Sequence, residues 1–413
     1  MAQAVVQSEI EIRHLDRRVT TLIGLSHGAS HFYQLALPPL FLLINGAQGY
    51  SFRDLGILTA AFYVTSAMCQ PPSGFLVDRF GARVVLLAGL GLMSASTALM
   101  GLLPYYPVMF VLSILAGAGN SVFHPCDYSI MNATISERRI ARAFSIHMFG
   151  GYVGYASAPL AMTAIGNYAG WRVAIVLAGL VGLAIFTTLW GGSRNFRDST
   201  HERAESGRTS ESLGDSLRTL ASAPIALCWM FFLIVAMGQI GLQTFTPTLM
   251  DKIYALGIET GGAFVTTMLI GVTVGVLCGG WLADHFRKPD RVVTIGYLLA
   301  VFVVFAIWRI DLTISQIYVA FAFIGFMYGI AFPSRELVVR AATPKGASGR
   351  VFGFVYSGMD VGSALTPVLF GWFVDTGIPR TAFLCVSVFW AISVVIIQMT
   401  GIATRRRQAV AAA

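Results

Sequence analysis

Twelve stretches of the chain run almost without charge, at about 19–44, 54–76, 84–103, 107–132, 143–165, 172–192, 223–249, 261–283, 292–308, 312–338, 351–374 and 380–403. A helix needs about 20 apolar residues to cross a bilayer, and these stretches have that scale. Backbone in lipid must satisfy its own hydrogen bonds, so such stretches fold as helices. Composition closes off the alternatives. Hydrophobic residues make up 56% of the 413 positions and charged residues only 12%, half the roughly 25% of soluble domains. A soluble fold could not hide that surface with so few charges outside, and disorder, collagen and a disulfide scaffold are excluded by the same figures. The expected fold is all-α and integral to the membrane, with twelve transmembrane helices.

The net charge of +8 could suggest nucleic acid, so its placement decides. With the N-terminus on the cytoplasmic side, the tails and the loops of that side hold 22 of the 28 Lys and Arg. The opposite side holds Arg53, Arg172, Lys252, Arg309 and Arg380, and Arg335 falls inside a span. This is the positive-inside asymmetry. The charge therefore reports a multi-pass inner-membrane topology with both termini cytoplasmic, and contact with anionic lipid, not a nucleic-acid footprint. The first apolar run follows Arg13, Arg17 and Arg18 without a small-residue cleavage site, and reads as a retained span. Cys69, Cys126, Cys228, Cys278 and Cys385 all lie in spans and form no CxxC pair, which argues against disulfides and zinc.

The chain divides at its middle. Residues 1–18 read as an N-tail, 19–192 as a six-helix bundle, 193–222 as a polar central loop, 223–403 as a second six-helix bundle and 404–413 as a C-tail. The halves repeat. Gly74-Phe-Leu-Val-Asp78-Arg79-Phe-Gly81-Ala-Arg83 returns 206 residues later as Gly280-Trp-Leu-Ala-Asp284-His-Phe-Arg287-Lys288. At an offset of 208, Pro39 meets Pro247, Pro125 meets Pro333, Phe144 meets Phe352, Gly150 meets Gly358, Gly154 meets Gly362 and Pro159 meets Pro367. Six matches at one offset indicate a duplicated six-helix unit, an arrangement used by secondary transporters.

On these residues the chain resembles the major facilitator superfamily over nearly its whole length. GFLVDRFGAR is similar to that family's loop 2–3 signature, and GWLADHFRK to its second copy. Gly170-Trp171-Arg172, Gly117-x-Gly119-x5-Pro125 and Gly150-x3-Gly154-x3-Ala158-Pro159 also resemble family patterns. Ser113 stands where many drug/proton antiporters carry Arg, which argues against multidrug antiport. Ser26-His27-x3-His31 and Phe123-His124-Pro125 resemble the fosmidomycin-resistance-like branch. The resemblance implies two bundles rocking about a central site, and a gating role for Gly74, Asp78, Arg79, Gly81, Arg83, Gly280, Asp284 and Arg287. Physically, Asp78 at a helix end can cap a neighbouring dipole and pair with Arg; the alternative is that Asp78 and Arg83 only define topology.

Small residues four apart, at Gly150, Gly154 and Ala158 and at Gly358 and Gly362, let helices approach closely in lipid. Pro39, Pro159, Pro247, Pro333 and Pro367 each remove a backbone hydrogen bond and are expected to kink their helices.

The informative residues are the few ionisable ones inside spans, each costing about 2.5–3.5 kcal/mol to insert. They are His27, His31, His124, Asp127, His147, Arg335, Glu336 and Asp360, with Gln34, Gln239 and Gln243 as neutral companions. His27 and His31 share one helix face, with Gln34 a further three along, and Gln239 is the counterpart of His31 at the 208 offset. Histidine suits proton coupling or substrate hydrogen bonding. No metal is expected, because two histidines without a nearby carboxylate or third ligand are an incomplete set. Asp127 corresponds to Arg335 at the same offset, so the two can form an ion pair between halves, bind a substrate of either sign, or snorkel to the interface. Glu336 and Asp360 are the leading carboxylates for carrying a proton.

These residues describe a secondary transporter of a small organic solute, working by alternating access and coupled to protons. An organic-anion carrier or exporter of the fosmidomycin-resistance type is the alternative, with Arg335 as its support; a transporter-like sensor is another. No G-x4-GK[ST] loop marks a primary pump, and no cofactor is expected. Seven histidines are too few for a membrane di-iron enzyme, so an enzyme is not expected. The expected partners are the solute, protons and the lipid bilayer, with the chain acting as a monomer.

Overall fold

The computed structural model describes residues 2–136, 139–194, 196, 220–285, 288–343 and 348–412. Every element among them is helical: α1 (Ala2–Gln34), a 3-10 turn (Pro38–Leu40), α2 (Phe41–Gln48), α3 (Phe52–Phe80), α4 (Ala82–Leu102), α5 (Tyr106–Asn120), α6 (Phe123–Thr134), α7 (Ile140–Ala169), α8 (Trp171–Gly192), α9 (Ala223–Tyr254), α10 (Ile258–His285), α11 (Pro289–Arg309), α12 (Ile314–Ala342), α13 (Ser348–Asp375) and α14 (Thr381–Ala412). These account for the twelve apolar stretches, since α1 with α2 form the first and α5 with α6 the fourth. Most of the central loop and Arg287 of the second motif lie outside the described residues.

By length and composition, eight helical segments among the described residues can cross a membrane. The long helices that fall short of that measure are α1, α3, α7 and α13. Three of these hold His27, His147 and Asp360, ionisable residues that lower the apolar content of their helices.

The chain separates into two compact units, residues 1–43 with 61–208, and residues 44–60 with 209–413. In the second, the Asp375 carboxylate at the end of α13 accepts the backbone N–H groups of Phe52 and Arg53, at 2.9 and 2.8 Å, and so caps the first turn of α3. The segment read as an N-tail continues α1 instead. Within it Asp16 is 3% exposed and accepts hydrogen bonds from Ser136 Oγ and Arg139 Nε, both at 2.7 Å.

Two prolines interrupt helices. Pro39 lies in the 3-10 turn that parts α1 from α2. Pro125 has no N–H for the Ser121 carbonyl four residues back, and α5 and α6 part at Ser121 and Val122. Pro159, Pro247, Pro333 and Pro367 lie inside continuous helices.

Candidate functional site

Glycine spacing assembles the site of the first unit. Gly150 of α7 meets Gly24 of α1, where an added Cβ would sit 2.5 Å from the Gly24 carbonyl oxygen. Gly28 meets Gly150 in return, at 2.9 Å for its own added Cβ, and Gly154 closes on Gly28. The two backbones cross in contact, as small residues allow in lipid. Gly151, next in α7, leaves room for imidazoles: its Cβ would lie 3.0 Å from His27 Nε2 and 3.1 Å from His31 Cδ2.

Three helices then converge. His27 and His31 come from α1, His124 and Asp127 from α6, and His147 from α7. His147 Nε2 lies 2.9 Å from Asp127 Oδ2, and His27 Nδ1 lies 3.4 Å from the same oxygen. The rings of His27 and His147 stack, with centroids 3.7 Å apart and planes 21° from parallel. His31 and His124 flank His27, with centroids at 4.4 and 5.4 Å. Side-chain exposure is 2% for His27 and zero for His147 and Asp127. A carboxylate there has no water to solvate it, so the two imidazoles must serve instead.

A polar chain runs beside this cluster. Ser30 Oγ donates to Asn120 Oδ1 at 2.7 Å, and Asn120 Nδ2 donates to Ser66 Oγ at 2.9 Å, tying α1, α5 and α3 together. Tyr155 donates to Gln34 Oε1 at 2.5 Å, and its ring meets His31 edge-on at 4.3 Å.

The second unit has a different centre. Arg335 of α12 is 1% exposed. Its Nε donates to Glu336 Oε1 at 3.1 Å, and Nη1 donates to the Tyr328 hydroxyl at 3.2 Å. Tyr328 passes the chain on by donating to Gln239 Oε1. The guanidinium carbon lies 4.0 Å above the Phe332 ring and 4.8 Å from that of Phe232, a stacked arrangement suited to Arg and not to Lys. Arg335 Nη2 and both amide atoms of Gln243 make no hydrogen bond among the described residues. A small cleft opens here between Gln239, Gln243, Tyr328, Met268 and Trp390. Asp360, on α13, is half-buried, and no described residue pairs with it.

The sequence pairs Asp127 with Arg335 across the repeat, but each finds its partners inside its own unit. Neither snorkels, since both are buried to 1% exposure or less. What the sequence does not indicate is that His147 joins Asp127, or that Tyr155, Asn120 and Tyr328 carry the polar chains. No spacing marks these contacts, because each crosses between helices distant in the chain.

The described residues of the loop motif make contacts within their own unit. Gly81 has a φ of 82°, the left-handed region that favours glycine, and there α3 turns into α4. Arg83 Nε donates to Ser193 Oγ at 2.8 Å and Nη2 to the Trp190 carbonyl at 3.3 Å, capping the end of α8 in the same unit. Arg79 is exposed and lies over Phe80. Gly74 and Gly280 face open space. The side chains of Asp78 and Asp284 lie outside the described residues.

Comparison with known proteins follows the same lines. The Major Facilitator Superfamily profile matches residues 22–333 and 250–410. The fosmidomycin resistance protein of Escherichia coli K12 is 25% identical over 354 residues, covering 83% of this chain and 84% of that protein. The membrane sensor protein UhpC of Salmonella typhimurium is 23% identical over 391 residues, covering 87% and 85%. A solved structure of a bacterial homologue of the human lysosomal transporter Spinster, inward-facing and occupied, superposes with a TM-score of 0.79 at 14% identity, covering 94% of this chain and 97% of that one. With the profile extending over nearly the whole sequence and the helical fold shared, the chain belongs to the major facilitator superfamily of multi-pass membrane proteins.

Proposed function

We propose that the protein is a proton-coupled secondary transporter of a small organic anion, working by alternating access, with both termini cytoplasmic. Arg335 carries this reading. A guanidinium stripped of water must be compensated, and here Glu336 and Tyr328 take two of its nitrogens while Nη2 finds no partner in hydrogen-bonding geometry among the described residues, with Tyr297 the next polar group beside it. Arg offers a planar fork that fits carboxylate, phosphate and phosphonate oxygens two at a time. The relative named for resistance to fosmidomycin supports the same substrate class.

Coupling follows from the neighbour. Glu336 and an incoming anion compete for one cation. A proton on Glu336 cancels its charge and releases the fork, so proton and anion bind together and travel the same way. Asp360 is the second carboxylate available to take part.

The test is the full chain reconstituted in liposomes and offered phosphonates, sugar acids, neutral sugars and organic cations, with and without an imposed pH gradient. The expected result is gradient-driven accumulation of an anion, lost in Arg335→Gln. Accumulation of neutral or cationic solutes alone would overturn the substrate class, and equilibration at channel rates would overturn alternating access. Anion binding without flux would instead make the protein a sensor, the role named for UhpC.

A further inference from the structure

We infer that His27, Asp127 and His147 form a binding site for a divalent first-row transition-metal ion inside the first unit. This is a site separate from the Arg335 centre and does not depend on the anion reading. One ligand atom from each residue lies within 4.8 Å of the other two. Two of the separations are 2.9 and 3.4 Å, both to Asp127 Oδ2. Ligands held at 2.0–2.1 Å from one ion stand about 2.9–3.4 Å apart, from octahedral to tetrahedral angles. Both separations to the carboxylate therefore already match the ligand shell of one ion.

Hydrogen bonding accounts for the cluster less well. Both imidazoles aim at a single carboxylate oxygen. His27 Nδ1, one of the three ligand atoms, is buried without a hydrogen-bond partner among the described residues, as is Asp127 Oδ1, the second oxygen of the same carboxylate. Buried polar atoms are nearly always satisfied, so orphans concentrated in one cluster point to a ligand. A cation would take the lone pairs of His27, His147 and Asp127 together.

Ligand chemistry sets the metal class. Imidazole nitrogens favour zinc, nickel, copper or iron, whereas magnesium and calcium prefer oxygen alone. A fourth ligand has neighbours to come from in His31 and His124, which are half-buried and mark the side from which an ion can enter. The ligands come from α1, α6 and α7, so a bound ion would clamp these helices to one another.

The test uses the full-length protein carrying no histidine tag, in lipid nanodiscs, stripped with chelator and loaded with Zn2+ or Co2+. About one equivalent of zinc should survive desalting. Asp127→Asn and His147→Gln should each weaken retention by more than about 10-fold, since even outer-sphere changes cost that much. His14→Gln, at an exposed position on α1, should leave it unchanged. Because a variant in this cluster could fold poorly, zinc X-ray absorption on the wild type gives a second readout. A shell of two imidazoles and carboxylate oxygen at about 2.0–2.1 Å supports the site. Failure to retain zinc, or a shell of oxygen or sulfur without imidazole, overturns it, whatever the transport assay shows.

Discussion

Ser73 Oγ lies 3.2 Å from the carbonyl oxygen of Ser121, the acceptor that Pro125 cannot serve, and shares its one proton between that oxygen and the Gln70 carbonyl at 2.6 Å. The hydroxyl of α3 thus stands in part for a helical N–H where α5 breaks from α6. Ser73 is 1% exposed, so removing it leaves that carbonyl without water. Ser73→Ala should lower stability by about 1 kcal/mol, the size of a hydrogen bond between helices in a membrane. Pro125→Ala restores an N–H at the right place, so in that background the cost of Ser73→Ala should fall towards zero. Thermal unfolding of the four proteins in detergent, followed by tryptophan fluorescence, measures the cycle. Equal costs in both backgrounds would show that Pro125 does not create the need for Ser73.

Glycines of this chain are not equivalent, and the contrast is testable. Gly154 closes on the backbone of Gly28, whereas Gly74 and Gly280 face open space. Gly154→Leu must push α7 away from α1, and overpacking costs typically 1–3 kcal/mol or more. It also moves His147 relative to His27. Gly74→Ala and Gly280→Ala meet no atoms and should cost little, beyond any effect on helix propensity, which favours Ala. Membrane abundance and melting temperature should fall for the first and hold for the other two.

Asp16 holds the turn between α6 and α7 to α1. It accepts from Ser136 Oγ and Arg139 Nε, and Asp16→Ala leaves both donors unpaired at a largely buried position. The expected loss is about 2 kcal/mol, with faster hydrogen exchange confined to residues 135–140. Asp16→Asn keeps an acceptor and should recover part of it. If exchange there is unaltered in Asp16→Ala, the turn is held by other contacts.

How much of this was legible differs from feature to feature. The apolar stretches gave the helices, since a bilayer imposes length and helicity with little freedom. The small-residue stripes were readable because small residues four apart have one main use in lipid. Asp16 was not, because a charged N-terminal segment with no apolar run looks like a tail until a turn 120 residues later is brought to it. The partner of Asp127 was not legible either. The repeat offset points to Arg335, but duplication aligns positions and does not pair side chains. His147 reaches Asp127 because α6 and α7 both pack on α1, and which side chains then meet is set by tertiary packing.

Glu336 decides whether charge competition at Arg335 is the coupling step. Glu336→Gln copies the protonated side chain: it keeps the shape and an oxygen near Arg335 Nε while removing the charge that competes with an anion. Such a protein should bind anion as well as or better than the wild type and should carry it in exchange for labelled anion, which needs no net proton movement. It should not concentrate anion under a pH gradient, since the proton has lost its carrier. Asp360→Asn, with no cation paired to it among the described residues, should leave the pH dependence of anion binding at Arg335 unchanged. Counterflow and gradient-driven uptake measured on the same proteoliposomes separate the two steps. Retained accumulation in Glu336→Gln would mean that coupling does not pass through the Arg335 pair, and loss of both exchange and accumulation would mean that the charge of Glu336 is needed to hold the site together.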